Sequence, residues 1–292
     1  MAVPTLPRSR PGAYLVGLIG AGIGTSLSPA LHEHEASCLG LAYAYRVLDL
    51  DELGVEPAGI GDLLEQAREA GFDGLNVTHP CKQLVLEHLD ELTDEAAALG
   101  AVNTVVLRDG RAIGDNTDGT GFAESFRRGL PGAALSRALL IGAGGAGAAV
   151  AHALLGLGCE RLEVLDTDRG RAGRLVAALC ARFGTERASV AEALEPALGH
   201  ADGVVNATPT GMVGHGGTPV AKHLLRADLW VADVVYRPLE TELLRDARAA
   251  GCRTLDGGGM VVLQAAGSFE RFTGAKPDRE RMLRHFQTLG GA

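Results

Sequence analysis

The segment from Arg137 to Asp168 constrains the fold more than any other part of the chain. It reads RALLIGAGGAGAAVAHALLGLGCERLEVLDTD: an apolar run, a glycine cluster, an alanine-rich stretch and a second apolar run. This order predicts a strand, a tight turn, a helix and a parallel strand. Glycines in such a turn let the backbone approach a pyrophosphate, so we predict a dinucleotide site; the alternative is a turn without a ligand. The glycines are Gly142, Gly144, Gly145 and Gly147.

The acid after the second apolar run indicates which dinucleotide this turn would bind. Asp166 follows Gly147 by 19 residues, a position from which a carboxylate accepts hydrogen bonds from the adenosine ribose. The 2′-phosphate of NADP would be repelled there by Asp166 and Asp168, which favours NAD. Arg169 and Arg171 keep NADP open, because either guanidinium can clamp a phosphate.

Strand and helix patterns also alternate along the rest of the chain. Apolar, β-prone runs such as AYLVGLIG, AYAYRVLDL and LWVADVVY are separated by helical segments such as SPALHEHEASCLGL. This alternation predicts an α/β fold with mainly parallel, twisted sheets. A length of 292 residues predicts two domains.

Charge and cysteine content narrow the classes of function. A net charge of -9 argues against nucleic acids and membranes as partners, since both bind basic surfaces. Five scattered cysteines without a C-x-x-C pair predict reduced thiols in the cytoplasm, with neither a disulfide framework nor a zinc site. We expect no secretory signal and no membrane span.

The HEHE run from His32 to Glu35 suggests metal ligands, but alternate helix positions face different sides of the helix. We therefore expect no metal and interpret His32 as a packed residue.

Four polar segments follow apolar strands: GTSLSP, NVTHPCK, GAVNT and GDNTDGTGF. Ligands of open α/β sheets bind at strand ends. A substrate with several hydroxyl groups would hydrogen-bond the hydroxyl, amide, amine and carboxylate side chains that these segments carry. The candidates are Ser26, Ser28, Asn76, Thr78, Lys82, Asn103 and Asp118.

Eight segments in order, from about Gly17 to Phe272, resemble the shikimate and quinate dehydrogenase family. They are SLSPALH, NVTHPCK, GAVNT, NTDGTG, GAGGAG, NATPTGM, VVYRPLET and GGGMVVLQAA. Members of this family are two-domain reductases, often homodimers, that interconvert an alcohol and a ketone on a polyhydroxylated ring carboxylate with a nicotinamide cofactor. The resemblance implies an N-terminal substrate domain over residues 13–125, completed by C-terminal helices over 262–292, and a Rossmann-like domain over 126–261. Residues 1–12 are expected to form a loose tail.

The resemblance also implies roles for single residues. The catalytic pair would be Lys82 and Asp118. The substrate-binding residues would be Ser26, Ser28, Asn76, Thr78, Asn103, Tyr236 and Gln264. The cofactor-binding residues would be Gly142, Ala143, Gly144, Gly145, Ala146, Asp166, Asp168, Arg171, Asn206, Ala207, Thr208, Pro209, Val234 and Gly257.

Two departures from the family pattern bear on specificity. NADP-using members carry Asn-Arg-Thr after the second strand of the cofactor domain, where this chain reads DTDRGR. Together with THPCKQ and ETELL, this resembles the NAD-preferring quinate/shikimate branch. Some quinate-oxidising members have threonine at the position of Ser28, so the resemblance leaves quinate and shikimate both open.

The expected reaction is reversible, NAD-dependent oxidation of shikimate or quinate at the C3 hydroxyl. We expect Lys82 to take the proton and Asp118 to hydrogen-bond the same hydroxyl, as a coupled pair. The alternatives at these positions are a surface lysine and a helix N-cap. The alternatives for the chain are an NADP-dependent biosynthetic shikimate dehydrogenase, an aminoshikimate-type member of the family, and a nucleotide-binding redox sensor or scaffold.

Overall fold

The computed structural model describes residues 13–290. The predicted tail, residues 1–12, lies outside this range. The described chain divides into two compact units, residues 13–117 with 264–289 and residues 118–263. The sequence analysis puts the boundaries at 125/126 and 261/262, whereas this division falls at 117/118 and 263/264. Each unit contains one sheet with helices, so the predicted two-domain α/β class is confirmed.

The first unit is built from strands that alternate with short helices. Its elements are β1 (Ala13–Gly20), α1 (Ser28–Cys38), β2 (Ala42–Asp49), α2 (Leu50–Leu53), α3 (Ile60–Glu69), β3 (Gly74–Val77), β4 (Glu91–Leu92), α4 (Asp94–Leu99), β5 (Thr104–Arg108) and β6 (Arg111–Asp115). Its sheet has the order β2-β1-β3-β5-β6-β4. A buried apolar cluster that includes Ile19, Leu64 and Leu75 packs α3 against this sheet.

The second unit contains the predicted glycine turn. Its elements are α5 (Asp118–Gly129), β7 (Arg137–Ile141), α6 (Gly145–Gly156), β8 (Arg161–Leu165), α7 (Arg169–Phe183), β9 (Ala188–Val190), α8 (Leu194–Gly199), β10 (Gly203–Asn206), β11 (Trp230–Asp233), α9 (Glu242–Ala249) and β12 (Arg253–Leu255). The chain continues through α10 (Gly258–Thr273), which belongs to both units, and α11 (Arg279–Thr288).

Every strand pair in the second sheet is parallel, in the order β12-β11-β10-β7-β8-β9. The chain moves outward from β7 in one direction through β8 and β9, and in the other through β10 to β12. Ligands of such doubly wound sheets bind at the carboxyl ends of the strands, where the order reverses. The turn after β7 and the loop after β10 flank this reversal.

The first sheet is mainly parallel, as predicted, but one of its strands is reversed and one predicted helix is replaced by other elements. β5 runs antiparallel to both β3 and β6. Its antiparallel pairing with β6 follows from a two-residue hairpin turn at Asp109 and Gly110, with positive φ at both positions. The pattern of KQLVLEHLDELTDEAAALGAVNTVV predicts a helix followed by a strand. The structure instead has a 3₁₀ turn over Leu84–His88 and the two-residue strand β4 before α4 and β5. The antiparallel hairpin was not recognised in the sequence, although Asp-Gly is its usual signal.

The outer edge of β2 is covered by side chains at its centre. The only sheet neighbour of β2 within residues 13–290 is β1, with Tyr45 opposite Val16. The main-chain N–H of Tyr45 donates to Glu33 Oε1 at 2.9 Å, and its carbonyl accepts from Arg46 Nη1 at 3.2 Å. Both hydrogen-bonding groups of this edge residue are therefore satisfied within the chain.

Two general expectations can be compared with the structure. All five cysteines are free thiols, and Cys81, Cys159 and Cys252 are buried. Among residues 13–290, no helix combines the length and apolar character that a membrane crossing needs.

Candidate active site

Asn76 lies in a buried hydrogen-bond network in the first unit. Its Nδ2 donates to the carbonyl oxygen of Asn103 at 3.2 Å and to Ser268 Oγ at 2.9 Å. Its Oδ1 accepts from the hydroxyl of Tyr45 at 2.9 Å. These partners hold the amide at the carboxyl end of β3, where a ligand of the sheet is expected.

Asn103 joins this network to α10. Its Nδ2 donates to Thr117 Oγ1 at 3.0 Å and to Gln264 Oε1 at 3.3 Å. Its Oδ1 accepts from the N–H of Thr117 at 2.9 Å and from Thr104 Oγ1 at 2.8 Å. The structure therefore brings together three predicted substrate-binding residues, Asn76, Asn103 and Gln264, in one rigid polar cluster.

Ser26 lies in the loop between β1 and α1, and Ser28 is the first residue of α1. Ser26 Oγ accepts the N–H of Ser28 at 3.3 Å, and both side chains are partly exposed. The loop is held by Asp49 at the end of β2, whose carboxylate accepts the main-chain N–H groups of residues 22, 23 and 24 at 3.0, 2.7 and 3.0 Å. A carboxylate with three backbone donors is a strong local anchor, so the two serines are presented by an ordered turn.

Lys82 lies in a loop that is tied to two neighbouring segments. The N–H of Thr78 donates to Ile19 O at 2.9 Å, and the carbonyl of Lys82 accepts the N–H of Val102 at 2.8 Å. Lys82 is partly buried and lies in the turn before the 3₁₀ segment, not in a helix. Its backbone is therefore fixed beside the segment that carries Asn103.

Asp118 and Tyr236 belong to the second unit. Asp118 is the first residue of α5 and is 6% exposed, a position at which the helix dipole favours a carboxylate. Tyr236 follows β11 and is partly buried, and burial raises the pKa of its hydroxyl. The predicted catalytic pair is thus divided between the units, with Lys82 in the first.

The glycine turn after β7 has the geometry that its sequence predicts. Gly142 has φ 102°, and a Cβ there would lie 2.7 Å from Ala207 O. A Cβ on Gly147 would overlap the carbonyl oxygen of Gly142. Gly144 precedes α6, no side chain caps the helix, and nothing lies within 4 Å of the position that a Cβ on Gly144 would occupy. The first amides of α6 are thus accessible to an anion at the carboxyl edge of the sheet.

The Asp166 carboxylate has more hydrogen-bond and ion-pair partners than the sequence suggests. Its carboxylate accepts the N–H of Ala143 at 2.7 Å and that of Asp168 at 2.8 Å. Arg171 adds a two-pronged ion pair, with Nε to Oδ2 at 3.1 Å and Nη2 to Oδ1 at 2.7 Å. Burial would raise the pKa of Asp166, but Arg171 and the two amides outweigh it and hold the pKa at about 2. The end of β8 therefore carries a permanent carboxylate and a guanidinium side by side.

Asp168 and Arg171 are also linked through the start of α7. Asp168 is the N-cap of this helix and accepts the N–H of Arg171 at 3.0 Å. The cap orients the first turn of α7, so it also sets the position from which the Arg171 side chain reaches Asp166.

The loop after β10 packs against the glycine turn. The N–H of Ala207 donates to Ile141 O at 2.7 Å. Asn206 Oδ1 accepts from both the N–H and the hydroxyl of Thr208, at 3.1 and 2.7 Å. The predicted cofactor residues from Asn206 to Pro209 are thus brought to the same edge as Gly142. Val234 follows the neighbouring strand, and a Cβ on Gly257 would meet its carbonyl oxygen.

His32 has the packed environment that the sequence analysis proposes. It is fully buried, its Nδ1 lies 2.9 Å from the hydroxyl of Tyr43, and the rings of Tyr45, Phe269 and Phe272 surround it. Burial lowers its pKa to about 3. Within residues 13–290 no group of three or more His, Cys, Asp or Glu side chains is arranged to hold a metal ion.

Sequence reasoning missed several residues that shape these sites. They are Asp49, Thr104, Thr117, Asp233 and Ser268. Thr117 lies inside the NTDG segment, which offered a signal, whereas Ser268 is an ordinary helix residue in the sequence. Its role follows only from the packing of α10 beside Asn76.

Comparison with known proteins agrees with this arrangement. Residues 18–105 match the shikimate dehydrogenase substrate binding domain, and residues 257–285 match the shikimate 5′-dehydrogenase C-terminal domain. A shikimate dehydrogenase (NADP(+)) of Streptomyces avermitilis is 61% identical over 96% of this chain and 97% of its own. The chain belongs to the shikimate/quinate dehydrogenase family.

Other members of the family differ in the cofactor that their names give. A quinate/shikimate dehydrogenase (NAD(+)) of Corynebacterium efficiens is 49% identical over 95% of this chain and 99% of its own. The solved structure of quinate dehydrogenase from Corynebacterium glutamicum in complex with NAD has a TM-score of 0.89 and 46% identity, over 94% of this chain and 99% of that one. Membership of the shikimate/quinate dehydrogenase family makes this chain a nicotinamide-dependent oxidoreductase and leaves its cofactor preference open.

Proposed function

We propose that the chain catalyses reversible, NAD-dependent oxidation of the C3 hydroxyl of shikimate or quinate. The observation that carries the cofactor assignment is the Asp166 carboxylate, which is hydrogen-bonded to the N–H of Ala143 in the glycine turn. Its low pKa keeps a negative charge at the place where the adenosine ribose of a dinucleotide would lie. A 2′-phosphate there would be repelled, whereas ribose hydroxyls would donate to the carboxylate.

The proposed substrate site is the polar cluster of the first unit. Hydroxyl groups and amides suit a polyhydroxylated ring, because each can donate to or accept from an alcohol. The geometry of Asn76, Asn103 and Gln264 supports this assignment, since all three share one hydrogen-bond network. Ser26 and Ser28 are proposed to bind the carboxylate end of the substrate, with Thr78 and Tyr236 as further contacts.

In the proposed reaction, Lys82 accepts the proton that leaves the C3 hydroxyl while the hydride passes to the nicotinamide. Asp118 is proposed to hydrogen-bond the same hydroxyl and orient it. The dinucleotide supplies the hydride acceptor; the protein holds the alcohol and removes its proton. We expect Lys82→Ala to lower kcat by about 100-fold or more, the usual contribution of a positioned acid or base. Asp118→Asn should retain more activity and change the pH profile of kcat.

A second candidate is NADP-dependent shikimate dehydrogenation. Two observations favour it: the guanidinium of Arg171 lies beside Asp166, and the Streptomyces avermitilis relative is named for NADP(+). An arginine that turned away from Asp166 would offer a two-pronged site for a 2′-phosphate.

One steady-state experiment tests these proposals together. Shikimate and quinate are each assayed with NAD and with NADP, and kcat/KM is compared across the four pairs. The proposal expects the highest value with NAD. A higher value with NADP would replace it with the second candidate, and no turnover in any pair, with dinucleotide still bound, would support the redox-sensor alternative.

The assembly and the compartment are also proposals. We propose a homodimer, as in many members of the family, which light scattering of the purified protein tests directly. A cytoplasmic location is consistent with five free thiols.

A further inference from the structure

Asp233 is a buried carboxylate at the carboxyl end of β11, and it is 2% exposed. Its Oδ1 accepts from Asn206 Nδ2 at 2.9 Å and from the N–H of Val235 at 3.0 Å, and its Oδ2 accepts from Thr241 Oγ1 at 2.8 Å. The described residues provide no cationic partner for it. Burying a carboxylate without a cationic partner lowers the stability of the folded state. The convergence of three donors on this carboxylate therefore requires an explanation.

The three donors come from three different segments at the cofactor edge of the second unit. Asn206 ends β10, Val235 follows β11, and Thr241 is the N-cap of α9. A single carboxylate therefore fixes the relative positions of the loop after β10, the exit of β11 and the start of α9. Removing it would leave three buried donors without their acceptor.

Asn206 transmits this constraint to the loop that faces the glycine turn. Its Nδ2 also donates to Thr210 O at 3.1 Å, while its Oδ1 accepts from Thr208. The hydroxyl of Thr208 in turn accepts the N–H of Thr210 at 3.2 Å. The shape of residues 206–210 thus depends on the orientation of one amide, which Asp233 sets.

We propose that Asp233 is a positioning residue for the dinucleotide: as a carboxylate it orients Asn206 and so holds residues 206–210 against the glycine turn in the shape that binds the cofactor. This inference rests on the proposed function, because it assigns a new residue to the same dinucleotide site. Asp233 need not touch the dinucleotide, since it acts through Asn206 and through the exit of β11.

The pKa of Asp233 bears on whether its carboxylate serves only the stability of the fold. Burial raises the pKa of Asp233 to about 6, with the three hydrogen bonds opposing it in part. The pKa in the folded state therefore lies above the unfolded value of 3.8. Between these values the folded chain binds more protons than the unfolded chain, so this residue's contribution to stability falls as the pH rises through that window. The ionised form is retained at neutral pH at a cost to stability, as expected if function requires it.

The test compares Asp233→Asn and Asp233→Ala with a matched control, Asp202→Asn. Asp202 precedes the other end of β10, where its carboxylate accepts the N–H of Arg137 at 2.8 Å. Calorimetric titration measures the Kd for NAD and for NADP, urea unfolding measures stability, and both are repeated between pH 5.5 and 8. Steady-state assays add kcat and the KM for the dinucleotide.

We expect Asp233→Ala to raise the dinucleotide Kd about tenfold or more, the effect of losing hydrogen bonds to a charged group. The kcat at saturating dinucleotide should change much less than KM. Asp233→Asn is uncharged like the protonated acid, so its Kd should already be raised at pH 8, as that of the wild type is at pH 5.5, and it should lose no stability at pH 8. The wild-type Kd should rise as the pH falls from 8 to 5.5, because the three donors facing Asp233 do not titrate, and the Asn variant should show no such rise. Asp202→Asn should leave the Kd unchanged.

An Ala variant that folds and binds dinucleotide like the wild type would overturn the inference. If the Ala variant does not fold, identical pH dependence of Kd in the wild type and the Asn variant would overturn it instead. A wild-type protein that binds neither NAD nor NADP would contradict the proposed function. If the wild type binds a dinucleotide and the Asp233 variants bind it with the same Kd, only this inference is contradicted.

Discussion

At the scale of single residues, we propose that Asp166 and Arg171 decide between the two cofactors. The carboxylate is almost completely buried and permanently charged, while half of the guanidinium is exposed. The ion pair therefore consists of a buried negative group and a partly exposed cation. In the proposed site, NAD would bind with Arg171 in place, and NADP would require Arg171 to turn toward the 2′-phosphate.

Replacing Asp166 by Ser should shift the preference toward NADP. The change removes the repulsion on a 2′-phosphate and releases Arg171, so the ratio of kcat/KM for NADP to that for NAD should rise about 100-fold, equivalent to about 3 kcal/mol. Arg171→Ala is the matched control and should shift the ratio toward NAD. Equal effects of either change on both dinucleotides would contradict this assignment.

His32 should make the stability of the protein depend on pH. Its pKa is about 3 in the folded chain because of burial, against 6.5 for the free side chain. Between these values only the unfolded chain binds the proton, so stability is complete above pH 6.5 and is lost as the pH falls toward 3. In His32→Leu, the slope of unfolding free energy against pH should decrease by about 1.4 kcal/mol per pH unit in this window. Urea unfolding at pH 4.5–7.5 measures it, and an unchanged slope would show that His32 is not the titrating group.

Local structure at single residues was predictable where one local pattern sufficed. The glycines of the turn could be identified because their spacing between a strand and a helix is a local sequence pattern. The partners of Asp166 could not, because whether Arg171 turns inward depends on the first turn of α7 and on the Asp168 cap. Ser268 and Asp233 gave no signal, since their roles arise from contacts between segments far apart in sequence.

At the scale of secondary structure elements, the close packing of α6 on β7 depends on Gly147. A methyl group there would overlap the carbonyl oxygen of Gly142. We expect Gly147→Ala to lower the unfolding free energy by about 2 kcal/mol, the usual effect of overpacking, and to weaken dinucleotide binding. Gly156→Ala in the same helix is the control, because nothing lies within 4 Å of its added methyl group. Urea denaturation of both variants tests this, and equal stabilities would contradict it.

The element predictions also show where sequence patterns fail. The βαβ unit of β7, α6 and β8 follows its pattern because each segment has the length and periodicity of its type. The segment that contains Leu84–His88 has helical periodicity but forms a 3₁₀ turn, and β4 is only two residues long. Short segments like these take their conformation from their neighbours; β4, for example, pairs with β6.

At the scale of the whole molecule, dinucleotide binding should stabilise the fold in a defined region. At 100 times Kd, a ligand that binds only the folded chain adds about 2.7 kcal/mol to the unfolding free energy. Amide hydrogen exchange should then slow most at residues 142–147, 166–171 and 206–210, which meet at the carboxyl edge of the second sheet. Nicotinamide mononucleotide, which lacks the adenosine half, should leave 166–171 unprotected. Uniform protection by both ligands would contradict the assigned site.

The overall architecture was more predictable than the position of any one contact. The order of apolar and polar segments indicates two α/β domains, because each strand and helix must bury one face. The reversal of β5 changes the first sheet without changing that class. Composition and charge predicted a small-molecule partner, whereas the proposed choice between NAD and NADP depends on the ion pair of Asp166 and Arg171.

The capped edge of β2 affects how the protein associates with itself at high concentration. An uncovered strand edge is a template on which a second chain can add its own strand, the first step of many aggregates. Here Glu33 and Arg46 occupy the donor and acceptor that such a strand would need at Tyr45. A second copy of the chain therefore cannot form a continuous hydrogen-bond ladder across the middle of this strand. The side chains of Glu33 and Arg46 thus oppose self-association by strand addition.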